Sequence, residues 1–134
     1  MKLTFILLLC ILAGCSTTKN TMMKPGGLNG TWLPVSQVMN GSALPSMVFE
    51  KNQLIIKDDT YSYTTRDKGT LTYGNGRMDI YGKDGVNAGK HYMAIYKFEK
   101  DQLIICYNLK GDSYPDTYET KGKPMYFVSV YKKA

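Results

Sequence analysis

The chain has 134 residues and a formal net charge of +6, with 17 lysines and arginines against 11 aspartates and glutamates. This length corresponds to one domain, and a chain of this size can bury a substantial core without disulfides or metals. The basic residues are single turn or surface positions interleaved with acidic ones. This pattern argues against a nucleic-acid interface, which needs basic side chains clustered on one face.

The beginning of the chain has the pattern of an export signal. Lys2 precedes an apolar run from Leu3 to Leu12, which is shorter than the roughly 20 residues that a permanent membrane-spanning helix needs. A secretory signal peptide typically has a basic start, an apolar middle and small residues before its cleavage site. The sequence therefore predicts a removable signal over residues 1–14 and an exported mature chain.

The segment Leu12-Ala13-Gly14-Cys15 resembles the lipobox of bacterial lipoproteins. The resemblance implies a diacylglyceryl thioether on Cys15, cleavage before it, and acylation of the new amino terminus by a chain such as palmitate. Ser16 rather than aspartate follows the cysteine, which under the enterobacterial sorting rule implies the outer membrane, facing the periplasm. The alternative is an ordinary secretory signal with a coincidental cysteine.

Residues 15–27 are predicted to form the lipidated start and a flexible tether. Ser16 to Gly27 is polar, lacks periodicity and ends in Pro25-Gly26-Gly27, a composition typical of a linker. With Cys10 removed and Cys15 lipidated, only Cys106 remains of the 3 cysteines. An exported chain with one thiol has no internal disulfide framework, so packing must stabilise the fold.

Residues 28–134 are predicted to be an all-β domain. Turn signals such as Asn40-Gly41 and Gly74-Asn75-Gly76 recur at short intervals, and glycine and asparagine supply the positive φ that tight hairpins require. Alternating segments between them favour a sandwich or a barrel. Leu103 to Tyr107 is apolar on both faces, as in a central strand beneath a loop. A short turn within Gly41 to Phe49 is the helix candidate, limited by Pro45.

Closure into a single antiparallel barrel of about eight strands would remove the two exposed sheet edges. Gly30 and Trp32 stand in the first strand, and Lys132 and Lys133 end the last one. A Gly-x-Trp in the first strand with a basic residue in the last is similar to the lipocalin arrangement. That similarity implies that the indole closes one end of the barrel and that a cation, here assigned to Lys132 with Lys133 as the alternative, packs on its face.

A wider series of short motifs extends this likeness over most of the mature chain. The series runs from Leu28–Trp32 through Ala94–Phe98 to Val128–Lys133. It resembles an uncharacterised lipocalin-like domain family, abundant in planctomycetes and often found on exported bacterial proteins. The resemblance implies a small lipocalin-like, calycin-type β-barrel, and it brings no catalytic residues.

The chain contains 11 tyrosines, and all of them lie from Tyr61 onward. Each ring can bury a large area while its hydroxyl seeks a polar partner. A barrel interior lined by such rings would suit an apolar or amphipathic ligand. The alternative is that the rings simply fill the barrel. The candidate lining residues are Tyr61, Tyr63, Tyr73, Tyr92, Tyr96 and Tyr126.

The sequence contains little that resembles catalytic machinery. His91 is the only histidine and could pair with Cys106, but no flanking motif supports such a dyad. The potential ligands are too few for a zinc site, and Asp58-Asp59 has the character of a turn. We therefore expect no enzyme activity, no metal and no cofactor.

Three functional hypotheses follow. The leading one is a monomeric, membrane-anchored lipoprotein that binds a small apolar or amphipathic molecule or an envelope component, and does not bind nucleic acid. The second is a protein-interaction module with a filled barrel, an inhibitor or assembly accessory in the periplasm, whose contact segments are Asn108 to Lys123 and Ser36 to Met47. The third is an enzyme that uses Cys106 and His91.

Overall fold

The computed structural model describes residues 27–134, so the predicted signal peptide, Cys15 and most of the tether lie outside the described residues. The described chain is almost entirely β-structure, with a single short 3-10 helix at Ser46–Val48. The strands are β1 (Gly30–Met39), β2 (Ser42–Ala43), β3 (Leu54–Lys57), β4 (Thr60–Tyr63), β5 (Asp67–Gly74), β6 (Arg77–Gly85), β7 (His91–Glu99), β8 (Gln102–Asn108) and β9 (Tyr126–Lys133).

The strands close into a barrel. Each of β3 to β9 pairs with the next strand in an antiparallel ladder, and β1 pairs with both β3 and β9. The short β2 lies outside this ring and extends β1 as a hairpin. Closure leaves the ring of eight strands without an open edge, which confirms the predicted all-β antiparallel barrel.

Tight turns close the hairpins where the sequence predicts them. Asn40 and Gly41 have φ angles of 48° and 75°, and Asn75 and Gly76 have φ angles of 53° and 77°. Two consecutive positive φ angles are characteristic of the type I′ turn, whose twist matches that of the flanking strands. Asparagine and glycine tolerate this conformation better than other residues, so local chemistry explains both hairpins.

Period-two alternation along the strands places one set of apolar side chains inside the ring. Leu71, Met78, Leu103 and Ile105 belong to this core, and each is at most 2% exposed. Cys106 lies on the opposite face of β8 from Ile105, yet it is also fully buried. The segment between β8 and β9 covers this outer face, as the two-sided apolar character of residues 103–107 predicts.

The covering segment, residues 109–125, is held against the barrel wall by side-chain contacts. The Tyr114 hydroxyl donates to Asp79 Oδ2 on β6 at 2.5 Å, and Lys97 Nζ of β7 lies 4.4 Å from the centre of the Tyr118 ring. Thr120 Oγ1 accepts a hydrogen bond from Gly41 N at 2.9 Å. These contacts lie outside the barrel, and within the segment Leu109 alone lines the interior hollow.

The two ends of the barrel differ. One end holds the start of β1, the end of β9 and the turns at 58–59, 75–76 and 100–101. The other end holds the 3-10 helix and the turns between β4 and β5 and between β6 and β7. The 3-10 helix begins directly after Pro45, within the predicted 41–49 segment. No helix within residues 27–134 is long and apolar enough to span a membrane.

Candidate functional site

The end that contains the start of β1 is closed by Trp32. The indole is 3% exposed, and its Nε1 donates to the carbonyl oxygen of Leu28 at 2.8 Å. The Phe98 ring packs against it with a centroid separation of 6.0 Å. Trp32 therefore closes one end of the barrel, as the likeness to lipocalins implies, and we call this the closed end.

The cation on the indole is Lys133, which corrects the assignment to Lys132. Lys133 Nζ lies 4.4 Å from the centre of the Trp32 ring and donates to the Asn29 carbonyl oxygen at 2.7 Å. The register explains the difference. Trp32 is paired with Lys133 whereas Lys132 is paired with Leu33, and neighbouring residues on a strand point to opposite faces.

Gly30 leaves room for that lysine side chain. Its φ is +136°, and a Cβ built at this position would lie 2.6 Å from Lys133 Nζ. Any other residue at position 30 would displace the ammonium group from the indole and would also adopt a strained backbone conformation. Gly30, Trp32 and Lys133 thus form one structural unit at the closed end.

A hollow lies inside the barrel toward the opposite end, which we call the open end. Its volume is about 100 Å³. Three of the predicted tyrosines, Tyr61, Tyr63 and Tyr92, line it, together with Tyr107 and Tyr131. Apolar side chains make up most of the remaining wall: Leu54, Ile56, Leu71, Met78, Ile80, Leu109 and Phe127.

The other three predicted tyrosines do not line the hollow. Tyr73 and Tyr96 pack edge to face at 6.1 Å and fill the interior nearer the closed end. Tyr126 lies on the outer face of β9, where its hydroxyl donates to Asp116 at 3.3 Å and Lys123 Nζ lies over its ring. The register of β9 turns Phe127 and Tyr131 inward, and a one-residue shift exchanges the two faces of a strand.

One group of hydrogen bonds crosses the hollow's wall on the side of β4, β5 and β7. Tyr61 donates to Asp67 Oδ1 at 3.1 Å, and Asn87 Nδ2 donates to Asp67 Oδ2 at 2.8 Å. Asn87 Oδ1 in turn accepts from the Tyr92 hydroxyl at 2.9 Å. Burial, with a further contribution from the Asp67 charge, raises the pKa of Tyr61. The phenol therefore stays neutral and acts as a donor.

A second group of hydrogen bonds lies across the interior. Gln37 Nε2 donates to the Tyr63 hydroxyl at 3.1 Å and to Ser129 Oγ at 3.2 Å. The hydroxyls of Tyr107 and Tyr131 are 2.9 Å apart. Burial raises the pKa of Tyr131 to about 12 and that of Tyr107 well above its usual value. The hollow thus has neutral hydroxyl groups set into an apolar wall.

Sequence reasoning missed Tyr107, Tyr131 and Asp67 as lining residues. Asp67-Lys68-Gly69 has the composition of a turn, but these residues begin β5, with a register shift between Lys68 and Gly69. The extra residue at this shift is Lys83 of β6, and β5 itself is regular. Extending the alternation of Tyr73 and Leu71 back along β5 would have placed Asp67 inside. Regular alternation along β5 places Asp67 on the inner face with Leu71, while Lys68 lines a surface depression outside it.

Cys106 and His91 do not form a pair. His91 Nε2 contacts Asp79 Oδ1 at 2.7 Å, and its ring stacks on Tyr81 with a centroid distance of 4.5 Å. Cys106 is paired across the ladder with Ile95, four residues from His91, which is about 13 Å along a strand. Within residues 27–134 no group of three or more potential metal ligands is found.

The Cys106 thiol is expected to be unreactive in the folded protein. It is fully buried, and burial raises its pKa to about 11, so the nucleophilic thiolate is scarce at neutral pH. Alkylation by iodoacetamide, followed by mass spectrometry of the signal-free protein, should be at least about a hundredfold slower in buffer than in denaturant. Rapid modification of the native protein would contradict the packing described here.

Comparison of this chain with protein-family models, with curated proteins and with solved structures finds no match.

Proposed function

We propose that this chain is a non-enzymatic, lipid-anchored envelope protein whose lipocalin-like barrel binds a small amphipathic molecule through its open end. The observation that carries the proposal is the hollow of about 100 Å³ lined by tyrosines and apolar side chains. A concave, mostly apolar site with a few convergent polar groups is the usual form of a small-molecule site. Membership of the lipocalin-like family that the sequence resembles is part of the proposal, and the closed eight-stranded ring supports it.

The volume of the hollow limits the size of the ligand. Sites for drug-sized molecules have volumes of about 300–1,000 Å³, and this hollow is several times smaller. Trp32, Tyr73 and Tyr96 occupy the rest of the interior. The ligand is therefore a compact molecule, or the compact end of a larger one whose remainder lies outside the open end.

The placement of the anchor is compatible with binding at the open end. Leu28 is fully buried beside Trp32 at the closed end, so the chain that leads from Cys15 enters the barrel there. Two or three acyl chains anchor a protein more firmly than one chain does. The tether would hold the closed end near the membrane and leave the open end accessible from the periplasm.

The ligand proposal is tested by native extraction of the membrane-bound protein followed by mass spectrometry of its small-molecule content. Leu71→Phe places a larger ring in the hollow, whereas Thr72→Phe, its neighbour on the exposed face of β5, leaves the hollow unchanged. We expect a bound molecule in wild type and Thr72→Phe and its loss in Leu71→Phe, with thermal midpoints confirming that both variants fold. Empty wild-type protein, or a molecule retained in folded Leu71→Phe, would overturn the proposal.

The anchor is tested by Cys15→Ala. Removal of the thiol eliminates the atom to which the lipobox resemblance attaches the diacylglyceryl group. We expect the variant to lose metabolic labelling with palmitate and to leave the membrane fraction, with an unchanged thermal midpoint of the barrel domain. Labelling that persists in Cys15→Ala would show that the lipid is attached elsewhere.

A second candidate function, a protein-interaction module, is favoured by the rim of the open end. Met47 and Val48 of the 3-10 helix, Val86 between β6 and β7, and Met125 before β9 are 78%, 53%, 76% and 42% exposed. A photo-crosslinker at position 47 should trap one defined periplasmic protein if the rim binds a partner. The control position is Ile55 on the wall, which is 41% exposed. Equal labelling from positions 47 and 55 would count against this function.

A further inference from the structure

We propose that the hollow selects a small organic cation, with the Asp67 carboxylate as its counter-charge and the surrounding tyrosine rings as its walls. This inference rests on the proposed function, because it names the chemical class of ligand for the same hollow. Three features of the site lead to it: the position of the carboxylate, the absence of a positive partner for it, and the aromatic faces around it.

Asp67 is the first residue of β5 and is paired with Tyr63 on one side and Gly85 on the other. It is half-buried and faces the hollow near the open end. Among the side chains that line the hollow, it is the only one that carries a formal charge at neutral pH. The interior therefore has a negative site although the chain as a whole has a net charge of +6.

The carboxylate is held in place without being neutralised. Its two oxygens accept hydrogen bonds from the Tyr61 hydroxyl and the Asn87 amide, both uncharged donors. None of the ion pairs within residues 27–134 includes Asp67. The neighbouring Lys68 lies on the other face of the sheet. Carboxylates shielded from water are usually paired with a positive group, and here the ligand can supply it.

The rest of the wall suits an organic cation better than a hydrated metal ion. Tyr61, Tyr63, Tyr92 and Tyr107 contribute aromatic rings, and the negative face of such a ring attracts an ammonium group within about 6 Å, most strongly where water is excluded. The aliphatic side chains would contact the carbon atoms of the ligand. Three or more His, Cys, Asp or Glu side chains, the usual protein ligands of a zinc ion, do not occur together in the described residues.

The volume agrees with a compact ammonium group. About 10–15 Å³ of such cavity volume holds one water molecule, so about 100 Å³ has room for several water-sized groups. This space accommodates a methylated or short-chain ammonium group and excludes a long acyl chain. An anionic ligand of the same size would be repelled by Asp67. Cationic, neutral and anionic ligands of similar size should therefore bind with different affinities.

The test uses the soluble barrel domain without its signal and Cys15, and a matched series of three probes. These are choline, its uncharged isostere in which a tert-butyl group replaces the trimethylammonium group, and the carboxylate that carries the same tert-butyl group. Binding is followed by NMR titration. We expect choline to bind at least about tenfold more tightly than the uncharged isostere, a difference of about 1.4 kcal/mol, and the carboxylate to bind most weakly.

Variants of Asp67 test whether its carboxylate causes the preference for choline over the uncharged isostere. Asp67→Asn should reduce the advantage of choline over the isostere to about twofold or less, whereas Asp67→Glu retains the charge and should retain most of the advantage. Asp84→Asn is the matched control, because Asp84 is an exposed residue of β6 opposite Lys68, and it should behave as wild type. The midpoint of thermal unfolding checks that each variant is folded.

The outcomes separate this inference from the proposed function. Equal binding of choline and the uncharged isostere to wild type, or a preference that survives in Asp67→Asn, overturns the cation proposal and leaves small-molecule binding in the hollow intact. Failure of all three probes to bind overturns the cation proposal, and an empty natively extracted protein then overturns the proposed function as well.

Discussion

Replacement of Trp32 by alanine is expected to lower the free energy of unfolding by about 3–5 kcal/mol, the usual cost of removing a large aromatic side chain from a core. The indole is 3% exposed, contacts Phe98, donates to the Leu28 carbonyl oxygen and carries the Lys133 ammonium on its face. Its loss would open the closed end to water. Chemical denaturation of the soluble domain, analysed at constant m-value, measures the change.

Two further variants measure how much of this loss of stability comes from the cation on the indole. Lys133→Met removes the cation but keeps an unbranched apolar chain on the indole, and we expect it to cost about 0.5–2 kcal/mol, the range of a cation–π contact. Lys132→Met should be nearly neutral, because Lys132 is exposed and paired with Leu33. A Trp32→Ala protein as stable as wild type, or a larger effect at Lys132 than at Lys133, would contradict the closed-end arrangement.

Replacement of Gly69 by alanine is the second substitution with a large expected effect. A Cβ at this position would lie 1.9 Å from the carbonyl oxygen of Tyr81 and 2.9 Å from the Tyr61 ring. The β6 backbone cannot move away without disturbing its pairing with β5, where β6 has an extra residue, Lys83, opposite Lys68 and Gly69. We expect a loss of about 3 kcal/mol or more, at the upper end of the range for overpacking.

Gly74, in the same strand, provides the matched control. A Cβ built on Gly74 meets nothing within 4 Å. Gly74→Ala should therefore be neutral or should stabilise the protein by up to about 1 kcal/mol, because alanine restricts the unfolded chain. Thermal and denaturant unfolding of both variants measure the contrast. Equal stability of Gly69→Ala and Gly74→Ala would show that β5 and β6 are less closely paired than described.

Displacement of the Tyr61 ring links this prediction to the site. Tyr61 donates to Asp67, which faces the hollow. A Gly69→Ala protein that still folds should thus alter the hollow as well as the stability. Gly69 is consequently required for the close approach of β6 and of the Tyr61 ring beside the carboxylate.

The turns and the general architecture could be predicted because they depend on short-range chemistry. Asn40-Gly41 and Asn75-Gly76 adopt positive φ angles that few other residue pairs tolerate. Alternation of apolar residues between such turns leaves few ways to build a sheet, and an eight-stranded antiparallel sheet avoids open edges by closing. The all-β barrel follows from these local rules.

The candidate site could be predicted only in part, because alternation does not specify which face of a strand is inside. Tyr61, Tyr63 and Tyr92 line the hollow, but Tyr126 lies outside because β9 turns Phe127 and Tyr131 inward. The same one-residue offset places Lys133 rather than Lys132 on Trp32. Each of these assignments depends on the pairing of β9 with strands that are distant in the sequence.

By itself, the sequence determined an all-β chain and its hairpin turns, since these follow from backbone conformation and residue periodicity. The role of Trp32 as a barrel plug was implied by the likeness to lipocalins. The tertiary structure decided which side chains share the hollow. Asp67 belongs to the site because β5 begins at Asp67 rather than after Gly69, and Tyr107 and Tyr131 belong to it through inter-strand register. Register is fixed by contacts between residues far apart in the chain, and a shift of one residue exchanges inside for outside.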